Sequence, residues 1–182
     1  MASRLTFVTG GMRSGKSAYA LNMSRRIGQC RAFIATAEPL DHEMRARIAR
    51  HKDERKDEFD TVEQPLYLAA ALSGTIQRRD LIVVDCLTVW LNNLFHHFGP
   101  EDPRTAAEIA AFVSVLENRG DCRLVIVSNE IGMGMVPEQP NLRRFTEELG
   151  RLNRLVAQAA DEVFFLVAGV PLAIKGRVYA AL

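Results

Sequence analysis

Five short apolar runs punctuate the chain: Leu5–Thr9 (LTFVT), Ala32–Thr36 (AFIAT), Leu81–Asp85 (LIVVD), Arg123–Ser128 (RLVIVS) and Glu162–Ala168 (EVFFLVA). They are rich in β-formers and lack strict alternation, the pattern of strands covered on both faces and hence of a parallel sheet. Between them lie stretches with helical spacing, over Ser17–Ile27, Asp41–Arg55, Leu66–Ile76, Leu87–Phe95, Thr105–Asn118 and Leu142–Ala160. A repeated strand-then-helix order predicts an α/β fold, a doubly wound and mostly parallel sheet with right-handed crossovers. After the last run, Gly169-Val170-Pro171 leads into Leu172–Lys175, a candidate edge strand. Gly99-Pro100-Glu101-Asp102-Pro103 reads as a surface loop, because neither flank would bury a core alone. Residues 1–182 are therefore expected to form one domain.

Composition narrows the classes. Lys plus Arg number 23 and Asp plus Glu 22, a net charge near +1, so nothing predicts a surface that coats nucleic acid. Cys30, Cys86 and Cys122 are far apart and odd in number; they form neither a zinc-type pair nor a disulfide framework, which points to a reducing cytoplasm. A strand-like run begins within the first few residues, leaving no stretch for a signal peptide. No apolar run approaches the roughly 18–20 residues of a membrane-spanning helix.

The first strand runs into Gly10-Gly11-Met12-Arg13-Ser14-Gly15-Lys16-Ser17, a full match to G-x-x-x-x-G-K-[ST] ahead of a predicted helix. Strand before and helix after are the context in which this pattern cradles phosphate: glycines bring backbone N–H groups close, and the helix N-terminus adds positive potential. Lys16 is expected on the β- and γ-phosphates and the Ser17 hydroxyl on Mg²⁺. LIVVD ends in Asp85, an acid placed like the second metal-side residue of such folds. Ser128-Asn129-Glu130 lies at the end of another strand, where Glu130 reads equally as a metal or acceptor contact and as the solvated start of a loop.

The segment after the second strand, AEPLDHEMRARIARHKDER, carries Arg45, Arg47, Arg50, His51, Lys52 and Arg55 among acids. Met44, Ile48 and His51 fall at i, i+4 and i+7, on one helical face. From these residues alone two readings of His51 stand: a hydrogen-bonded boundary histidine in a salt-bridged helix, or an imidazole that attacks an α-phosphate with cations neutralising the leaving pyrophosphate. His42, His96 and His97 have no assigned role.

Taken together, FVTGGMRSGKS, FIATAEPLDHEMRARIARHKDER, VVDCLTVWLNNLF and VSNEIGMGMVPEQPNLRRF resemble, in order and over nearly the whole chain, the bifunctional adenosylcobinamide kinase/adenosylcobinamide-phosphate guanylyltransferase family. The resemblance implies a P-loop NTPase-like fold and two reactions. One moves a phosphoryl group from ATP or GTP to adenosylcobinamide; the other moves GMP from GTP to adenosylcobinamide phosphate through a guanylyl-histidine. It maps that histidine to His51 in the R-I-x-x-H-[KR] run, and Lys16 to the kinase step. It implies GTP contacts at Gly10, Gly11, Met12, Arg13, Ser14, Gly15, Lys16, Ser17, Ala35, Thr36, Ala37, Lys52, Asp53, Glu54, Arg55, Glu63 and Asp85, with Mg²⁺ at Ser17 and Asp85. Some relatives carry Glu where this chain has Asp85. It also implies a homotrimer. Two other readings compete: a monofunctional small-molecule kinase, which leaves Arg47–Arg55 and the Asn129–Gly134 run without a task, and a nucleotide-binding module without transfer.

Overall fold

In the computed structural model, residues 4–39 and 42–176 are described. Seven strands form one sheet: β1 (Leu5–Gly10), β2 (Arg31–Ala35), β3 (Asp60–Glu63), β4 (Leu81–Asp85), β5 (Arg123–Val127), β6 (Glu162–Val167) and β7 (Val170–Lys175). Their spatial order is β3-β2-β4-β5-β1-β6-β7. All neighbours are parallel except the β6–β7 pair, which is antiparallel. Six helices join them: α1 (Lys16–Arg25), α2 (His42–Arg55), α3 (Leu68–Ile76), α4 (Leu87–His97), α5 (Pro103–Glu117) and α6 (Pro140–Ala159).

The central strands are buried on both faces, which is why their sequences read as continuous apolar runs rather than alternations. Period two still sorts them. Leu5, Phe7, Ile34, Ile82, Val84, Leu124 and Ile126 pack against α3 to α6, while Val8, Phe33, Leu81, Val83, Val125 and Val127 pack with Ala20 and Leu21 of α1. On the first face lies Trp90, the single tryptophan, fully buried. Its ring centroid is 5.1 Å from that of Phe112, and its indole N–H donates to the Leu66 carbonyl at 2.8 Å. Tertiary packing thus satisfies its polar edge as well as its rings.

Two elements differ from the expectation. β3 was absent from the predicted runs because DTVE holds one apolar residue; it exists through parallel pairing with β2, in register from Ala32↔Asp60 to Ala35↔Glu63. The candidate run Leu172–Lys175 is a true edge strand but starts at Val170 and folds back on β6. The expected start of the second helix, Asp41, lies outside the described residues. No helix among the described residues is long and apolar enough to cross a membrane.

Candidate active site

The phosphate loop is shaped by its backbone. Gly10 has φ 146° and Gly15, the residue before α1, has φ 91°. A Cβ on Gly10 would sit 2.4 Å from the Leu166 carbonyl oxygen, and one on Gly15 would meet the Gly169 Cα at 3.3 Å. Both positions therefore need glycine for φ and for close approach to the β6–β7 turn. Arg13, at φ 58°, adds a left-handed residue, the backbone conformation from which anion-binding nests are built. Neighbouring strands grip the loop: Gly169 N–H donates to the Ser14 carbonyl at 3.0 Å, and Glu130 N–H to the Gly10 carbonyl at 3.0 Å.

Lys16 opens α1 and is buried, its ammonium folded over the loop to donate to the Gly11 carbonyl at 2.6 Å. An arriving phosphate can exchange for that carbonyl without a change of helix or strand. Met12 is solvent-exposed, Gly11 and Ser14 complete the turn, and Ser17 faces the adjoining cavity.

That cavity, about 260 Å³, lies between the carboxyl ends of β2 and β4, the start of α1 and the inner face of α2. It is the crevice position at which open α/β sheets take ligands. Ser17, Ala35, Ala37, His51, Lys52, Arg55, Glu63 and Asp85 all line it. Residues separated by up to 68 positions in sequence are thus brought to one space. Thr36, between Ala35 and Ala37, does not line it. It is fully buried, its hydroxyl donating to the Cys86 carbonyl at 2.9 Å and accepting from the Cys86 N–H at 2.8 Å. The Asn93 amide donates to the Thr36 carbonyl at 2.7 Å and to that of Pro65 at 3.2 Å. Thr36 and Asn93 therefore stitch together the strand ends that carry Ala35, Glu63 and Asp85.

On α2, Arg55 is buried with its guanidinium carbon 4.0 Å from the centroid of Phe33, a stacked cation–π contact on β2. Lys52 is ion-paired with Glu63 of β3, both half-exposed. Asp53 is exposed and does not line the cavity; the Glu54 side chain lies outside the described ones. His51 is half-buried on the cavity wall with Met44 and Ile48. The i, i+4, i+7 face was correctly spaced, yet it borders the cavity and not a packed core, so that its apolar members form part of the cavity wall. Cys86, Val89 and Phe33 also border the cavity, and sequence reasoning missed them as site residues. For Cys86 the signal was available, since it directly follows Asp85 at the carboxyl end of β4; Val89 lies in the first turn of α4. His97, given no role, donates from Nε2 to the Glu38 carboxylate at 3.0 Å and steadies the segment after β2.

Among the described residues no cluster of three or more His, Cys, Asp or Glu forms a metal cage. One hydroxyl and one carboxylate on the same cavity, Ser17 and Asp85, instead suit a cation that takes its other ligands from phosphates and water.

Comparison with known proteins gives the family. Residues 6–174 match the family described as cobinamide kinase / cobinamide phosphate guanyltransferase. The bifunctional adenosylcobalamin biosynthesis protein CobP of Pseudomonas aeruginosa is 39% identical over 170 residues, spanning 93% of this chain and 96% of that protein. Its counterpart CobU of Escherichia coli is 35% identical over 182 residues, spanning 94% and 99%. Among solved structures, a type III secretion ATPase aligns with a TM-score of 0.58 at 11% identity, over 90% of this chain and 51% of its own. The RadB recombinase aligns at 0.51 and 17% identity, over 89% and 73%. Those two share the P-loop fold alone. The chain belongs to the cobinamide kinase / cobinamide phosphate guanyltransferase family, and is a bifunctional kinase and guanylyltransferase of cobalamin biosynthesis.

Proposed function

We propose that His51 is the residue that carries GMP, and that Gly10–Ser17 hold the triphosphate in both reactions. The observation that supports this most is the shared cavity lined by Ser17, Asp85 and His51. In the kinase step, the loop amides and Lys16 would hold the β- and γ-phosphates of ATP or GTP and stabilise charge on the group in transfer to the adenosylcobinamide hydroxyl. Ser17 and Asp85 would hold Mg²⁺, which supplies charge neutralisation on the phosphates when bound.

In the second step, an imidazole nitrogen of His51 attacks the α-phosphorus of GTP. The nitrogen–phosphorus bond forms, the bond to the α–β bridging oxygen breaks, and pyrophosphate leaves. A phosphate oxygen of adenosylcobinamide phosphate then displaces His51, giving adenosylcobinamide-GDP. Arg45, Lys52 and Arg55 of α2 line the cavity with His51 and would bear on the phosphate charge. Ala35, Ala37 and Glu63 would contact the nucleotide from β2 and β3, and Thr36 would act by holding those strand ends. The reading includes a cytoplasmic homotrimer, as the resemblance to the family implies; sedimentation equilibrium tests the trimer.

The experiment is label transfer. With α-labelled GTP and no acceptor, the protein takes up acid-labile, alkali-stable label, and His51→Ala takes up none. Equal labelling of wild type and His51→Ala overturns the assignment.

A further inference from the structure

Transfer to a hydroxyl also needs a group that accepts its proton, and none of the residues above has that task. β5 is the strand inserted between β1, which runs into the phosphate loop, and β4, which ends in Asp85. The chain leaving β5 emerges between the phosphate cradle and the Asp85 side of the crevice. Glu130 is the first acid on it.

Its mount is rigid. The Glu130 N–H donates to the Gly10 carbonyl at 3.0 Å, which ties the residue to the first glycine of the cradle. One residue earlier, the Asn129 N–H donates to the Thr88 hydroxyl at 2.8 Å, and the Asn129 carbonyl accepts from the Asn153 amide at 3.0 Å. The Glu130 side chain is half-buried, and its Oε1 accepts the Gly132 N–H at 2.9 Å. That bond fixes the carboxylate's direction and occupies one oxygen. Among the described residues no hydrogen bond engages Oε2. The other acids of this edge have tasks already: Glu63 pairs with Lys52, Glu38 with His97, and Asp85 lines the cavity with Ser17. Beyond Glu130 the same loop exposes Ile131, Met133, Met135 and Val136, an apolar rim on which a large, partly apolar acceptor can lie.

We propose that Glu130 is the general base of the kinase half-reaction, an assignment that rests on the phosphate loop holding the donor triphosphate. As the acceptor hydroxyl oxygen bonds to the γ-phosphorus, the bond from that phosphorus to the β–γ bridging oxygen breaks and the nucleoside diphosphate leaves. The hydroxyl proton passes to Glu130 Oε2 and from there to water. Guanylylation of His51 by GTP uses no acceptor hydroxyl and does not need this carboxylate.

Glu130→Gln tests it, because the glutamine oxygen keeps the Gly132 hydrogen bond while the amide cannot take a proton. Positioned bases contribute roughly 10²–10⁴-fold. Phosphorylation of cobinamide by ATP should fall about 10²-fold or more in kcat, with the KM for ATP within about twofold of wild type. Label uptake from α-labelled GTP and the melting midpoint should stay at wild-type values. Glu130→Asp, which keeps the carboxylate on a shorter arm, should exceed the Gln variant in turnover. Kinase turnover of Glu130→Gln near wild type overturns the proposal, as does a parallel loss of turnover, labelling and melting midpoint, or an Asp variant no better than Gln. If wild type takes up no label, the histidine assignment fails, and the Glu130 result still stands on its kinase readout.

Discussion

The phosphate loop and helix α2 face the same crevice and are built in opposite ways. The loop is a backbone device: Gly10 and Gly15 fit against β6 and the β6–β7 turn, Lys16 is buried, and two carbonyls are held by the chain after β5 and after β6. α2 presents side chains, and the contacts that hold it include the Arg55 stack on Phe33 and the half-exposed Lys52–Glu63 pair. The contrast teaches a division of labour. Phosphate is common to every nucleotide step, so main-chain amides fixed in advance can serve both reactions. A covalent intermediate instead needs one nucleophilic side chain that reaches one phosphorus, and in the proposal above the face of α2 would supply it.

The sharpest way to break that division is His51→Ala, which should abolish guanylyl transfer to background while cobinamide phosphorylation stays within about threefold of wild type, measured side by side on one preparation. Loss of both activities would mean that the helix serves the loop. Lys16→Ala should cut the kinase step by about 10²–10³-fold, the scale on which removal of a single transition-state donor acts, and should lower His51 labelling as well. Labelling at the wild-type rate in that variant would mean that the two reactions hold their triphosphates in different places. Gly10→Ala should destabilise the fold through strain of about 1–3 kcal/mol, together with the contact against the Leu166 carbonyl, and should depress both activities in proportion. A chemical melt reads the first, and paired assays read the second. Lys52→Met should have the smallest effect, below about 1 kcal/mol in stability because the pair is half-exposed, with a few-fold rise in the GTP KM for labelling.

Legibility in the sequence follows the same division. The loop could be read directly, because a left-handed turn against a neighbouring strand permits few residues other than glycine and the motif is contiguous. Asp85 was legible as the acid that closes an apolar strand. β3 was not, because four largely polar residues become a strand only when β2 offers them a ladder. Met44, Ile48 and His51 revealed their common face, but spacing says nothing of what a face looks onto, and here it looks onto the cavity. The chain order was legible and the spatial order was not. That β5 sits between β1 and β4, and so brings Glu130 to the rim of the cradle, depends on long-range pairing that no local pattern encodes.

Trp90 gives the molecule a built-in reporter of restricted scope. It packs with Phe112 and Leu66 on the α3–α6 side of the sheet, whereas the cavity proposed for nucleotide opens among Phe33, Cys86 and Val89 on the α1–α2 side. Its emission should therefore follow loss of the whole fold and stay silent as GTP fills the cavity, so that unfolding and occupancy can be recorded on separate channels of the same sample.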